Sequence, residues 1–164
     1  MGYTLGWTRR QFPEIDAGQA FPPKYDRRHD LSLTGTYRFA PVCSTCGRWI
    51  LTANFVYGTG QAFTPAGARY TLRDPATDQA VDRLLAARRN TARLMPYHRL
   101  DLGVRRTLKL FGDGVKAEIY FQFFNFYNRR NEWFVEYDAE DSSKKPRVVQ
   151  MFPILPTFGF DFRF

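Results

Sequence analysis

The stretch Phe158-Gly159-Phe160-Asp161-Phe162-Arg163-Phe164 decides how the rest of the sequence is interpreted. Aromatic residues alternate strictly with small or charged ones. Because successive side chains of a β-strand point to opposite faces, this period of two predicts a strand with one apolar and one polar face. The apolar face carries Phe158, Phe160, Phe162 and Phe164.

The same alternation recurs in five earlier runs, which begin at Tyr3, Leu31, Trp49, Leu100 and Val115. Several of these runs are about ten residues long, whereas five or six is usual for a strand. We therefore predict an all-β fold, an antiparallel meander of about six long strands. Only Thr77–Asn90 breaks the period. Its Val81, Leu84, Leu85 and Arg88 are at helical spacing, which predicts a short helix in the longest loop, with a solvated loop as the alternative.

The connections between the runs alternate in length. Three are long, about 12–27, 61–96 and 129–147, and two are short, 41–47 and 111–114. Short turns on one rim and long loops on the other are typical of a transmembrane β-barrel, whose long loops are extracellular.

Aromatic residues on the apolar faces lie near both rims of the predicted sheet. Tyr37, Phe39 and Trp49 lie near the short turns, and Tyr57 and Phe123 lie near the long loops. This distribution resembles the aromatic girdles of an outer-membrane barrel. The alternative is that aromatic residues simply favour strands.

The other face is too polar for a protein core and would suit a lumen. Two strand openings place an arginine and an aspartate on this face, as the pairs Arg28/Asp30 and Arg99/Asp101. They could form a charged wall that contacts a plug or solute. We favour a simpler interpretation, in which lumenal ion pairs hold the register of the strands.

Composition excludes several classes of protein. The chain has 164 residues, 44% hydrophobic and 17% aromatic, with a net charge of +8. No apolar run approaches the roughly 18 residues of a transmembrane helix. Two cysteines exclude a disulfide scaffold, and the lone Cys43-x-x-Cys46 pair predicts a local disulfide or no role, rather than a metal site. The N-terminus lacks the pattern of a secretory signal.

The sequence also argues against catalysis and nucleic-acid binding. It contains no phosphate loop, no Ser/His/Asp set and no convincing carboxylate pair, so we predict no enzyme activity, no cofactor and no metal. Binding of single-stranded nucleic acid needs rings and cations in one groove. Here the rings and the cations are predicted to lie on opposite faces, so no nucleic-acid partner is expected.

Several segments carry a family resemblance that covers nearly the whole chain in order. Residues 10–14, 21–31, 55–60, 97–102, 124–131 and 152–164 resemble the late barrel strands of TonB-dependent outer-membrane receptors, especially the Bacteroidetes type. The alternating aromatic strand with a terminal Phe is similar to the signal read by the barrel-assembly machinery. The insertion Thr64–Leu94 and the Cys43/Cys46 turn fit least well.

The resemblance implies energy-coupled import of a solute across the bacterial outer membrane. Residues 1–164 would be the C-terminal part of the barrel, a fragment that lacks plug and signal peptide and is inactive alone. The implied partners are outer-membrane lipid and lipopolysaccharide, the remaining barrel and plug of the parent receptor, the barrel-assembly machinery and, through the parent, the energy-coupling inner-membrane complex. Two alternatives stay open: a soluble β-barrel or clam that binds a ligand, and a short chain that forms an oligomeric barrel.

Overall fold

The structure, a computed structural model, describes residues 1–39, 47–110, 115–138 and 145–163. These residues form strands and one short 3-10 turn, Asp16–Gly18. The strands are β1 Gly2–Leu5, β2 His29–Arg38, β3 Arg48–Gly58, β4 Ala62–Phe63, β5 Ala66–Arg73, β6 Ala80–Ala86, β7 Ala92–Arg93, β8 Tyr97–Leu110, β9 Val115–Phe124, β10 Glu132–Glu136, β11 Arg147–Gln150 and β12 Leu155–Arg163. Cys43, Cys46 and Phe164 lie outside the described residues.

Six strands form one antiparallel sheet in the order β1-β2-β3-β8-β9-β12. This confirms the predicted all-β class and the predicted sheet of six strands. Five of the six are long, with 9 to 14 residues each. The long connections join the strands at one end of their length, which we call the long-loop rim; they are residues 6–28, 59–96 and 125–154. The C-terminal end of β2 with the start of β3, and the C-terminal end of β8 with the start of β9, lie on the opposite side, which we call the short-turn rim.

The long loops contain three two-stranded sheets, β4-β7, β5-β6 and β10-β11. The predicted helix within Thr77–Asn90 is wrong, because Ala80–Ala86 is a strand that pairs antiparallel with β5. The carboxylate of Asp74 accepts the Ala76 N–H at 2.9 Å and so favours a turn that folds the two strands together. Cross-strand pairing, such as Leu72 with Val81, outweighs the helical spacing of a few apolar residues.

The register of the large sheet aligns its apolar residues in rows. One row runs across five strands through Tyr37, Leu51, Val104, Phe121 and Phe158. Directly opposed residues share a face, so the alternating runs combine into one apolar face and one polar face. The rings of Phe121 and Phe158 are 6.2 Å apart.

Gly159 occupies a special position on the polar face of the edge strand β12. It lies directly opposite Tyr120 in the register, and a Cβ atom at Gly159 would collide with the Tyr120 ring. Only glycine leaves room for a ring that lies across the neighbouring strand in this way.

The sheet has almost no hydrophobic core. Among the described residues, Phe21, Ala62 and Ala117 are the buried hydrophobic ones. The accessible surface is 12267 Å², whereas a compact monomer of 19.2 kDa exposes about 8,400 Å². The apolar face is therefore uncovered. In the part of the chain that the structure describes, no helix is long and apolar enough to cross a membrane.

Candidate functional site

The predicted pair Arg99/Asp101 forms on the polar face near the long-loop rim. The Nε atom of Arg99 is 2.9 Å from Asp101 Oδ1, and both side chains are about three-quarters buried. The Arg99 guanidinium also lies 3.9 Å from the centre of the Phe124 ring. Asp101 Oδ1 accepts the Asn125 N–H at 2.9 Å, so this ion pair also fixes the start of the loop after β9.

The predicted pair Arg28/Asp30 does not form. Asp30 instead pairs with Arg27, whose Nη1 atom lies 3.3 Å from Asp30 Oδ2. Arg28 precedes the first residue of β2, so strand alternation does not govern the direction of its side chain. Its backbone N–H donates to the hydroxyl of Thr59 at 2.8 Å and joins two loops at the rim.

A buried ion pair that the sequence analysis missed links the first two long loops. The Asp26 side chain is 4% exposed and forms a salt bridge with Arg93. Arg93 Nη1 also donates to the carbonyl oxygens of Asp26 and Gly60, at 2.9 and 3.0 Å. Burial acts to raise the pKa of the Asp26 carboxyl, but the hydrogen bonds from Arg93 and the Thr8 N–H, with the nearby arginine charges, outweigh it and lower that pKa.

Asparagines at a spacing of three hold the third long loop. Asn125 is buried; its Oδ1 accepts the Arg129 N–H at 3.0 Å, and its Nδ2 donates to the carbonyls of Arg129 and Phe152. Asn131, also buried, exchanges two hydrogen bonds with the backbone of His98, at 3.1 and 2.9 Å. Asn128 Oδ1 accepts the Ile154 N–H at 3.0 Å. The sequence analysis missed this cluster, although the spacing Asn-x-x-Asn-x-x-Asn is a feature from which it could be predicted.

A cleft of about 440 Å³ lies beside this cluster at the long-loop rim. Its lining includes Met95, His98, Tyr127, Arg129, Arg130 and Glu132. The Tyr127 hydroxyl lies 2.7 Å from His98 Nδ1, and the two ring centres are 5.5 Å apart. Partial desolvation raises the pKa of Tyr127 above its ordinary value, at which the hydroxyl is already protonated at neutral pH.

The predicted girdle residues lie on the apolar face. Tyr37, Phe39 and Trp49 are exposed near the short-turn rim, and Tyr57 and Phe123 are half-buried nearer the long-loop rim. Phe158, Phe160 and Phe162 of β12 are exposed on the same face. Arg106 is a charged residue on this face near the short-turn rim, and its guanidinium carbon lies 4.9 Å from the centre of the Trp49 ring.

The polar face carries two shallow hollows. One, of about 400 Å³, has hydroxyl and amide side chains in its lining, among them Thr34, Asn54 and Gln122. The second, of about 250 Å³, lies nearer the short-turn rim and includes Arg38 and Arg105. Arg105 pairs with Glu118 at 3.3 Å.

Metal binding and known relatives add nothing to this picture. Within residues 1–39, 47–110, 115–138 and 145–163, no three His, Cys, Asp or Glu residues come together in a group that could hold a metal ion. No known protein family, curated protein or solved structure matches the chain.

Proposed function

We propose that this chain forms part of the wall of a bacterial outer-membrane β-barrel, as the last strands of a TonB-dependent receptor that imports a solute. One observation carries the proposal: apolar residues form continuous rows on one face of a six-stranded sheet, and that face is exposed. Water does not tolerate a large contiguous apolar surface, whereas lipid matches it. The resemblance of the sequence to late receptor strands supports the same function.

The opposite face has the character of a lumen. It is lined by threonine, asparagine and glutamine at mid-height, with the ion pairs Arg99/Asp101 and Arg105/Glu118 towards its two rims. A barrel interior that holds water or a plug needs such groups, and a protein core does not. The soluble alternative, with the apolar face turned inward around a ligand, would require that face to be covered, and it is exposed.

The two edges of the sheet mean that the chain would not act alone. The large sheet ends at β1 and β12, which have no further neighbour among the described strands. Open edges are not tolerated in lipid, because unpaired backbone groups cannot reach water. The remaining strands of the parent receptor would pair there. The alternating phenylalanines of β12 would give the barrel-assembly machinery an edge strand that it can extend by backbone hydrogen bonds.

Tryptophan quenching by brominated lipid tests the direction of the apolar face. We would compare two single-tryptophan variants of the full chain, refolded into lipid vesicles: W7F/W133F, which keeps Trp49, and W7F/W49F, which keeps Trp133. Trp49 lies on the apolar face, whereas Trp133 lies on the β10 hairpin beyond the long-loop rim. We expect strong quenching of Trp49 and weak quenching of Trp133. A chain that is soluble, monomeric and sharply melting in buffer would contradict the proposal.

The open edges also favour a second candidate, an oligomeric barrel built from several copies of this chain. β1 and β12 run in opposite directions in the sheet, so β12 of one copy could pair antiparallel with β1 of the next. Chemical cross-linking in detergent separates the two candidates. A ladder ending at a fixed multiple of the chain favours the oligomer, and a monomeric band favours a segment of a larger receptor.

A further inference from the structure

The cleft at the long-loop rim combines cationic and apolar groups in a way that the barrel fold does not require. Arg129 and Arg130 both line it, and the carboxylate of Glu132 already accepts the Met95 N–H at 2.7 Å. The cleft therefore holds two arginines and one carboxylate that is already hydrogen-bonded.

Arg129 is held in place yet keeps an unused donor. Asn125 binds its backbone N–H and carbonyl, and its Nη2 atom donates to the Pro96 carbonyl at 3.2 Å. Its Nε atom is buried and has no hydrogen-bond partner among the described residues. A buried N–H without an acceptor is unfavourable, so the Arg129 guanidinium keeps hydrogen-bonding capacity that the described residues do not use. A guanidinium also suits the geometry of a phosphate group.

The location of the cleft indicates what the anion is attached to. In the register, His98 lies directly opposite Tyr57, on the apolar face where that face meets the long loops. The Tyr127 hydroxyl occupies His98 Nδ1, so Nε2 is the ring nitrogen left for a ligand. Met95, which also lines the cleft, is 61% exposed and adds apolar surface there. A ligand in this cleft would have its charged group beside the loops and its apolar part along the sheet.

We propose that this cleft binds the phosphate of an anionic lipid headgroup, with Arg129 and Arg130 as the phosphate ligands. The inference rests on the proposed function, since it requires lipid against the apolar face. The proposed site would bind one lipid headgroup specifically, whereas the apolar face contacts acyl chains without specificity. Free phosphate shares the charge but not the acyl chains, so the experiment must separate the two sources.

Native mass spectrometry of the full chain, refolded in detergent, provides the test. The probes are phosphatidic acid, diacylglycerol with the same acyl chains, and inorganic phosphate as a competitor. We expect retention of one phosphatidic acid, little retention of diacylglycerol, and no displacement by millimolar phosphate. Equal retention of both lipids would overturn the proposal. Displacement by inorganic phosphate would overturn the assignment to a lipid.

Variants locate the site. Arg130→Gln changes an exposed side chain, so folding is not at stake, and we expect about tenfold weaker retention of phosphatidic acid. Arg129→Gln should act in the same direction. The control Arg73→Gln removes the same charge from an exposed side chain of β5 and should leave retention unchanged. Equal retention by Arg130→Gln and the control would contradict the site.

Failure of this inference can be distinguished from failure of the proposed function. Quenching of Trp49 by brominated phosphatidylcholine depends on the apolar face alone and needs no anionic lipid. Quenching without selective retention of phosphatidic acid would remove the headgroup site and leave the barrel proposal in place. Loss of quenching would remove the barrel proposal itself.

Discussion

The large sheet and the long loops of this protein are stabilised in opposite ways. The sheet is regular and leaves large apolar side chains exposed along β2, β3, β9 and β12. The loops are irregular, but they contain the buried polar side chains of the described residues, Asp26, Asn125 and Asn131. The sheet thus holds its shape through backbone pairing and exposes its apolar side chains, whereas the loops bury Asp26, Asn125 and Asn131 and provide each of them with hydrogen-bond partners.

The sheet and the loops obtain their stability from different sources. In water, a sheet without a core has little hydrophobic stabilisation, because this stabilisation is roughly proportional to the apolar area removed from water. The side chains of Asp26, Asn125 and Asn131 can be buried in the loops because each has hydrogen-bond partners there. The sheet should therefore respond to the solvent around it, and the loops should respond to single polar substitutions.

The largest effect is expected where a charge is placed on the apolar face. Phe121→Arg should destabilise the chain in lipid by about 2–4 kcal/mol, the range for a charge facing the bilayer midplane. Denaturant unfolding in vesicles would measure the loss. The matched control is Gln122→Arg, on the adjacent residue of β9 and on the polar face, where little change is expected. Equal losses for the two variants would contradict the assignment of the faces.

A smaller effect is expected in the loops, at the buried ion pair. Asp26→Asn should weaken the attachment of the 6–28 loop to the 59–96 loop by about 1.5–3 kcal/mol, because a charged hydrogen bond to Arg93 is lost. Hydrogen exchange in the two loops would report the opening. Asp30→Asn is the control, because the side chain of Asp30 is 51% exposed and its pair with Arg27 should contribute about 0–1 kcal/mol.

Acid should reproduce the effect of that substitution. The pKa of Asp26 is lower in the folded chain than in the unfolded chain, so its contribution is complete above about pH 4, the usual value for an aspartate. The contribution is lost as the pH falls through the lower folded pKa. Wild type and Asp26→Asn should therefore converge in stability at low pH and differ at neutral pH. A difference that is independent of pH would contradict the ion-pair account.

In the third loop we expect an effect at Asn125 close to that at Asp26, and the smallest effect of all at Asn128. Asn125 has a φ of +53°, a conformation that glycine adopts without strain. Asn125→Gly therefore removes the side-chain hydrogen bonds alone and should cost about 1–3 kcal/mol, while Asn125→Ala should cost about 1 kcal/mol more. Proteolysis of the 125–154 loop would measure both. Asn128→Gly, which removes one exposed hydrogen bond, should cost less, and a larger loss there would reverse the proposed ranking.

The sheet could be predicted from the sequence because a period of two is a local signal. Runs such as Val115–Phe124 carry it in every residue, and apolar matching then sets the register. The helix predicted within Thr77–Asn90 is wrong because the pairing of β6 with β5 depends on a turn at Asp74, which the spacing of apolar residues in β6 does not reveal. The partners of Asp26 and Asn125 are up to 67 residues away in the sequence. They lie in loops, where no periodicity of the sequence indicates which residues contact each other.

Gly159, opposite Tyr120, fixes the register of a strand whose repeated sequence would otherwise allow several registers. A strand that repeats Phe-x-Phe-x-Phe can slide by two residues along β9 and still present phenylalanines to the same face, so the apolar rows alone do not choose one alignment. A slide by two in either direction would bring Thr157 or Asp161 under the Tyr120 ring, where there is room only for a hydrogen atom. Gly159 therefore selects a single register for β12 against β9, although the repeated phenylalanines of β12 are compatible with several.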